Sequence, residues 1–92
     1  MIVSFKCHDT EKMFKGKRIA KFSGFEAAAM RKLALLNVAG EIDDLRVPPG
    51  NRLEALSGKR KGQWSIRIND QSRICFKFKN GNALDVEIVD YH

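Results

Sequence analysis

The 92 residues bury only about two-thirds of the surface that their unfolded chain exposes, enough for one modest core. A second domain and a deep closed pocket are thereby excluded, and a site is expected on the surface. Seventeen lysines and arginines against eleven acids leave a formal charge of +6, which suits a polyanionic partner such as nucleic acid, an anionic membrane or an acidic protein.

Met1–Phe5 reads as a short strand. Asp9 or Thr10 can cap a brief helix through Phe14, ended near Gly16. Lys15, Lys17, Arg18 and Lys21 follow as a basic connector, read as a solvated face. Ser23-Gly24-Phe25-Glu26 has the spacing of a capping box and opens a helix to about Asn37. Phe25, Ala29, Leu33 and Leu36 share its buried face. Gly40 is a plausible helix end, with one more turn over Ile42 to Leu45, and Pro48-Pro49-Gly50 stops helix.

Beyond residue 51 the hydrophobic period becomes two. Trp64, Ile66 and Ile68 alternate with polar residues, as do Ile74, Phe76 and Phe78, then Leu84, Val86 and Ile88. Three half-buried strands in an antiparallel meander are expected. A two-residue Asn80-Gly81 turn would set Phe76 against Asp85, mixing core with charge. A three-residue loop, Asn80-Gly81-Asn82, sets Phe78 against Leu84, Phe76 against Val86 and Ile74 against Ile88, so this register is preferred. It pairs Lys77 with Asp85. A turn at Asn69-Asp70-Gln71 would place Arg67 opposite Arg73, a repulsive pair unless an anion lies near. The expected architecture is α+β: two N-terminal helices packed on one face of a small curved, mostly antiparallel sheet, all in one domain over residues 1–92. The other face is expected to be polar and basic.

Charge is concentrated in the third quarter, where residues 46–79 hold nine basic and two acidic side chains. No stretch approaches the roughly 20 apolar residues of a membrane span, and Met1–Asp9 lacks the basic-then-apolar order of a secretion signal. A cytoplasmic protein without membrane contact is expected, with Cys7 and Cys75 as reduced thiols. No Cys/His cluster has zinc spacing, so neither metal nor cofactor is expected.

The chain closes on Asp90-Tyr91-His92 directly after the last strand, with Arg73 on the neighbouring strand and Glu54 near the start of the sheet. Such groups suit metal-free RNA cleavage. One group takes the proton of a ribose 2′-hydroxyl, another protonates the departing 5′-oxygen, and cations hold the phosphate. From spacing alone a solvated tail fits these three residues as well. His8 reads as surface or cap, Trp64 as core and Cys75 as a spectator thiol. Tyr91, out of phase with the core set, leaves stacking on a base open.

Specificity comes from longer segments. Pro48-Pro49-Gly50-Asn51-Arg52-Leu53-Glu54-Ala55-Leu56-Ser57-Gly58, Gln63 through Gln71, Arg73-Ile74-Cys75-Phe76 and Val86 through His92 resemble, in order, the HigB toxins of the RelE/ParE superfamily. Ile2-Val3-Ser4-Phe5 is similar as well. The resemblance implies the RelE/ParE fold, ribosome-dependent cleavage of messenger RNA without a metal, and a HigA-type antitoxin. Operator DNA would be met only indirectly, through that antitoxin. It implies catalytic roles for Arg73 on the scissile phosphate, His92 in acid/base work, Tyr91 in stacking or positioning, and Asp90 as orienting group or base. Lys59, Arg60, Lys61 and Arg67 would grip RNA backbone.

The sequence departs from the family pattern at three places. Some members carry His where this chain has Glu54 and Lys where it has Ser57, so proton transfer would pass to Glu54 or another residue. Trp often precedes the strand arginine where this chain has Ser72, a loss expected either to loosen Arg73 or to expose a gap, with reduced toxicity as its consequence. Two other readings stand beside the nuclease: a ParE-like gyrase poison that cuts nothing, and a small basic nucleic-acid-binding regulator. Against the regulator, the long helix is alanine-rich and offers only Arg31 and Lys32 as cations.

Overall fold

A computed structural model describes residues 1–90; the expectations for Tyr91 and His92 fall outside the described residues. Helix α1 spans His8–Phe14 and helix α2 spans Glu26–Val38, joined by a 3₁₀ turn over Ala20–Phe25. After 3₁₀ turns at Ile42–Arg46 and Pro49–Asn51 come strands β1 (Glu54–Ala55), β2 (Trp64–Arg67), β3 (Ser72–Lys79) and β4 (Asn82–Asp90). The four strands form one antiparallel meander in chain order. The N-terminal segment lies parallel to β4 as two isolated bridges rather than a full strand, with Val3 N–H donating to the Ala83 carbonyl at 2.9 Å and Lys6 N–H to that of Val86 at 3.0 Å. Among the described residues no helix is long and apolar enough to cross a membrane.

The α+β layering follows the two periodicities. Ala29, Leu33 and Leu36 of α2 are fully buried against Ile66, Ile74, Phe76 and Val86 of the sheet. Their i, i+4, i+7 spacing puts them on one helix face, and the strand residues alternate toward the same layer.

Two helix starts differ from expectation. The α1 N-cap is Cys7, without a side-chain cap, because Asp9 and Thr10 are employed elsewhere. Asp9 pairs with Lys21 at 2.9 Å, while the fully buried Thr10 hydroxyl accepts the Ile88 N–H at 3.2 Å and ties α1 to β4. A hydrogen bond from Lys21 and its positive field hold Asp9 below the usual carboxylate range, and the same bond with the negative field of Asp9 raises Lys21 in return. At α2 the Ser23–Glu26 capping box does not form. Ser23 lies inside the 3₁₀ turn that buries Phe22, so the helix opens three residues later with Phe25 as N-cap. The capping box of this chain is Glu41–Asp44, at the start of the 3₁₀ turn Ile42–Arg46.

The β3–β4 register also needs correction. The two-residue Asn80-Gly81 turn forms, with φ of 52° and 78°, so Lys79 faces Asn82 and Phe78 faces Ala83 rather than Leu84. The conflict of faces that argued against this turn is resolved further along. The register slips by one residue between Cys75 and Lys77, where Asp85 takes φ 53°. That bulge restores Ile74 opposite Ile88, as expected, and leaves Lys77 3.5 Å from Asp85.

Candidate active site on the open face of the sheet

Strand β2 places Arg67 opposite Arg73 of β3, the juxtaposition anticipated from the turn between them. Asn69 fixes that turn, its side-chain oxygen accepting from the N–H groups of Gln71 (2.9 Å) and Ser72 (2.7 Å). Both arginines leave the sheet on the face opposite the helices. There they line an open cleft of about 280 Å³ together with Arg52, Glu54, Asn69 and Asp70.

Arg73 is held firmly. Its Nε donates to Ser65 Oγ at 2.8 Å, and one terminal nitrogen donates to the Arg52 carbonyl at 2.6 Å and, more weakly, to that of Ser65 at 3.5 Å. The other terminal nitrogen lies 3.8 Å from Glu54, and only 11% of the side chain is exposed. Ser65 itself is fully buried. The Arg52 carbonyl reaches Arg73 because Arg52 adopts a left-handed conformation, φ 46°, directly after the Pro49–Asn51 turn. Asn51 anchors that turn from within: it is fully buried, donates to the carbonyls of Leu45 (3.1 Å) and Val47 (3.3 Å), and accepts from Lys32. Glu54 is brought to the cleft by its pairing with Ser65 and is 57% exposed. Arg67 is paired with Asp70. Three guanidiniums against two carboxylates leave the cleft cationic, suited to an anion.

The model of the HigB-like toxins, RelE-like toxins of type II toxin-antitoxin systems, matches residues 4–92. The chain belongs to that family. Toxin HigB-1 of Vibrio cholerae is 49% identical over 63 residues, 68% of this chain and 66% of the relative. The Proteus vulgaris protein named Endoribonuclease HigB is 38% identical over 61 residues, 66% of this chain and 65% of the relative. The matched stretch thus spans slightly under two-thirds of these curated relatives. In fold the chain is similar to one in a YoeB-YefM toxin-antitoxin complex from Staphylococcus aureus, with a TM-score of 0.58 at 14% identity over 100% of this chain and 98% of the other.

In this HigB-like chain the remaining expected site residues divide. Asp90 does not join Arg73. Ser72 pairs with Asp90 and Arg73 with Val89, so strand alternation turns Asp90 toward the helix side with Ser72 and Ile88. There Asp90 lines a separate cleft of about 410 Å³ with Lys21, Phe22, Phe25 and Ser72, the gap anticipated beside Ser72. Arg60 donates to Gln63 (3.1 Å) and Glu87 (3.1 Å), and so anchors its loop to the sheet, while Lys59 and Lys61 beside it are exposed. Cys75 is completely buried and Cys7 half-buried, and no disulfide joins them. Sequence reasoning missed Arg52, Ser65 and Asn51. Asn51 and Arg52 lie within the segment that carries the family resemblance, whereas nothing local marks Ser65 as more than an alternating polar residue.

Proposed function

We propose that the protein is the toxin of a type II toxin-antitoxin pair and acts as a ribosome-dependent endoribonuclease on messenger RNA. The observation that carries this reading is an arginine, Arg73, fixed by three hydrogen bonds at a cationic cleft that also presents a carboxylate, Glu54. The name of the Proteus vulgaris relative, Endoribonuclease HigB, supports it.

In the proposed reaction the 2′-oxygen attacks the adjacent phosphorus, the O2′–P bond forms and the P–O5′ bond breaks. The products are a 2′,3′-cyclic phosphate and a 5′-hydroxyl. Glu54 takes the 2′-hydroxyl proton, and His92 delivers one to the leaving 5′-oxygen. Arg73 and Arg67 stabilise the charge gathering on the phosphate. Because Arg73 is already held, little reorganisation accompanies that step. Tyr91 is assigned to stacking on a base, and Asp90, turned from the cleft, to orienting its neighbours. Lys59 and Lys61 grip ribosomal or messenger backbone, with Arg60 bracing their loop. The partners are the ribosome and its message in the cytoplasm, and a HigA-type antitoxin through which operator DNA is met indirectly.

The test is translation with purified components, followed by mapping of message ends. Cuts within the reading frame that require ribosomes are expected. Arg73→Ala should slow them by about 10²–10³, the usual loss when a fixed charge-stabilising donor is removed, and Glu54→Gln and His92→Ala should slow them as well. An intact message, or wild-type cutting by Arg73→Ala, rejects the reading. Intact message with inhibited gyrase favours a ParE-like poison.

A further inference from the structure

Two of the cations left unused by this chemistry lie on α2, where Arg31 is exposed and Lys32 half-buried. The Lys32 ammonium donates to the side-chain oxygen of Asn51, the residue just before Arg52 of the cleft. Asn51 cannot turn away, because its amide nitrogen is committed to two carbonyls of the preceding loop. Lys32 is thereby pinned at the Pro49–Asn51 turn, beside the residue that leads into Arg52. Burial pushes its pKa down, and the positive fields of Arg31 and Arg67 push it further, so these cations crowd one another.

Proteins usually answer such crowding with a carboxylate. Among the described residues, no salt bridge is made to Arg31, Lys32 or Arg52, and Arg67 has only Asp70, whose side chain is 92% exposed. Repulsion left standing among these cations is relieved when an anion settles between them. Beside Arg31 and Lys32 the surface changes character. Ala34, Leu35, Val38 and Pro48 line an open groove of about 500 Å³, an apolar shelf next to two cations. A nucleotide has that same division, a charged phosphate joined to a largely apolar sugar and base face.

We infer that Arg31 and Lys32, with the Leu35–Val38–Pro48 shelf, form a second RNA subsite that holds a phosphate and its nucleotide flanking the scissile linkage. The subsite rests on the nuclease reading above and extends it, carrying the RNA path from the sheet onto the long helix. Its residues take no part in bond breaking.

The experiment measures binding of a short single-stranded RNA, made uncleavable by 2′-O-methyl groups, by fluorescence anisotropy between roughly 50 and 200 mM salt. For single strands each phosphate held contributes about 0.7 to the slope of log affinity against log salt. Arg31→Ala, at an exposed position that does not touch Asn51, should lower the slope by about 0.7, and Arg31→Ala with Lys32→Gln by about 1.4. Lys32→Arg should keep the wild-type slope. Ribosome-dependent cutting by the wild type is scored in parallel. Absence of cutting strikes the nuclease reading, whatever the slopes. Persistent cutting with unchanged slopes in Arg31→Ala and the double variant overturns the subsite alone. Unchanged RNA slopes with lost binding of the co-expressed antitoxin would likewise overturn it, in favour of a protein-docking face.

Discussion

Ser65→Ala separates the position of Arg73 from its charge. The Ser65 hydroxyl is fully buried and accepts from Arg73 Nε at 2.8 Å. Its removal leaves that N–H inside a side chain only 11% exposed, where water is a poor substitute. A hydrogen bond to a charged group contributes about 1.5–3 kcal/mol, so a loss near 2 kcal/mol is expected. In a domain of this size that lowers Tm by on the order of 10 °C. The bonds from one terminal nitrogen to the Arg52 carbonyl and, more weakly, to the backbone carbonyl of residue 65 survive, so the guanidinium stays in the cleft but can pivot about that nitrogen. Misplacement of this kind slows a positioned reaction by about 10- to 100-fold. Affinity for RNA should hold, because no charge has been removed. Differential scanning calorimetry gives the first number, and single-turnover cleavage on saturating ribosomes, well below the variant's Tm, gives the second. A lowered Tm with wild-type cleavage would show that the set of Arg73 is irrelevant to chemistry.

Asn51→Ala strips two loop carbonyls of their donor and Lys32 of its acceptor, and should cost about 2–4 kcal/mol in urea unfolding, with slower cleavage because the Arg52 carbonyl is no longer held at Arg73. A loss below about 0.5 kcal/mol, within the range of ordinary surface changes, would contradict that anchoring role. Gly81→Ala puts a methyl 3.2 Å from the Gly40 carbonyl at φ +78°, so a loss of about 1–2 kcal/mol is expected; a neutral result would argue against the two-residue turn. Asp9 titrates below its ordinary 3.8 when folded, so its pairing with Lys21 stabilises above that pH and fades as pH falls through the lowered value. Asp9→Asn should therefore differ from wild type in urea midpoint at about pH 6, and the gap should narrow as pH is lowered beneath 3.8; a constant gap would place the effect elsewhere.

What was legible in the sequence is what periodicity controls. The buried face of α2 and the inward residues of β2 and β3 follow from spacing alone, because a 3.6 or 2.0 repeat leaves one way to bury them. The arginine pair across β2 and β3 was equally readable, by counting from the turn at Asn69–Gln71. Errors arose where a local signal met a distant demand. Ser23 and Glu26 have capping-box spacing, yet burial of Phe22 keeps Ser23 in a 3₁₀ turn. The Asn80-Gly81 turn forms and gives the inward place expected of Leu84 to Ala83, and the faces agree again only from Val86 on, because Asp85 absorbs the extra residue in a left-handed conformation that Asp tolerates better than most.

The site shows the same division, with one instructive exception. Ser65 and Asn51 act through Arg73 and Lys32, partners eight and nineteen residues away, and no short pattern announces such contacts. Asp90 is different, because its place could have been deduced. The expected register of Ile74 against Ile88 already sets Val89, not Asp90, opposite Arg73, and a period of two then sends Asp90 to the helix side. Grouping Asp90 with Arg73 followed nearness in the chain, whereas strand parity decides which side chains can meet at one phosphate. By that parity Glu54, Ser65, Arg67 and Arg73 share the open face, and the carboxylate placed beside Arg73 there is Glu54 rather than Asp90.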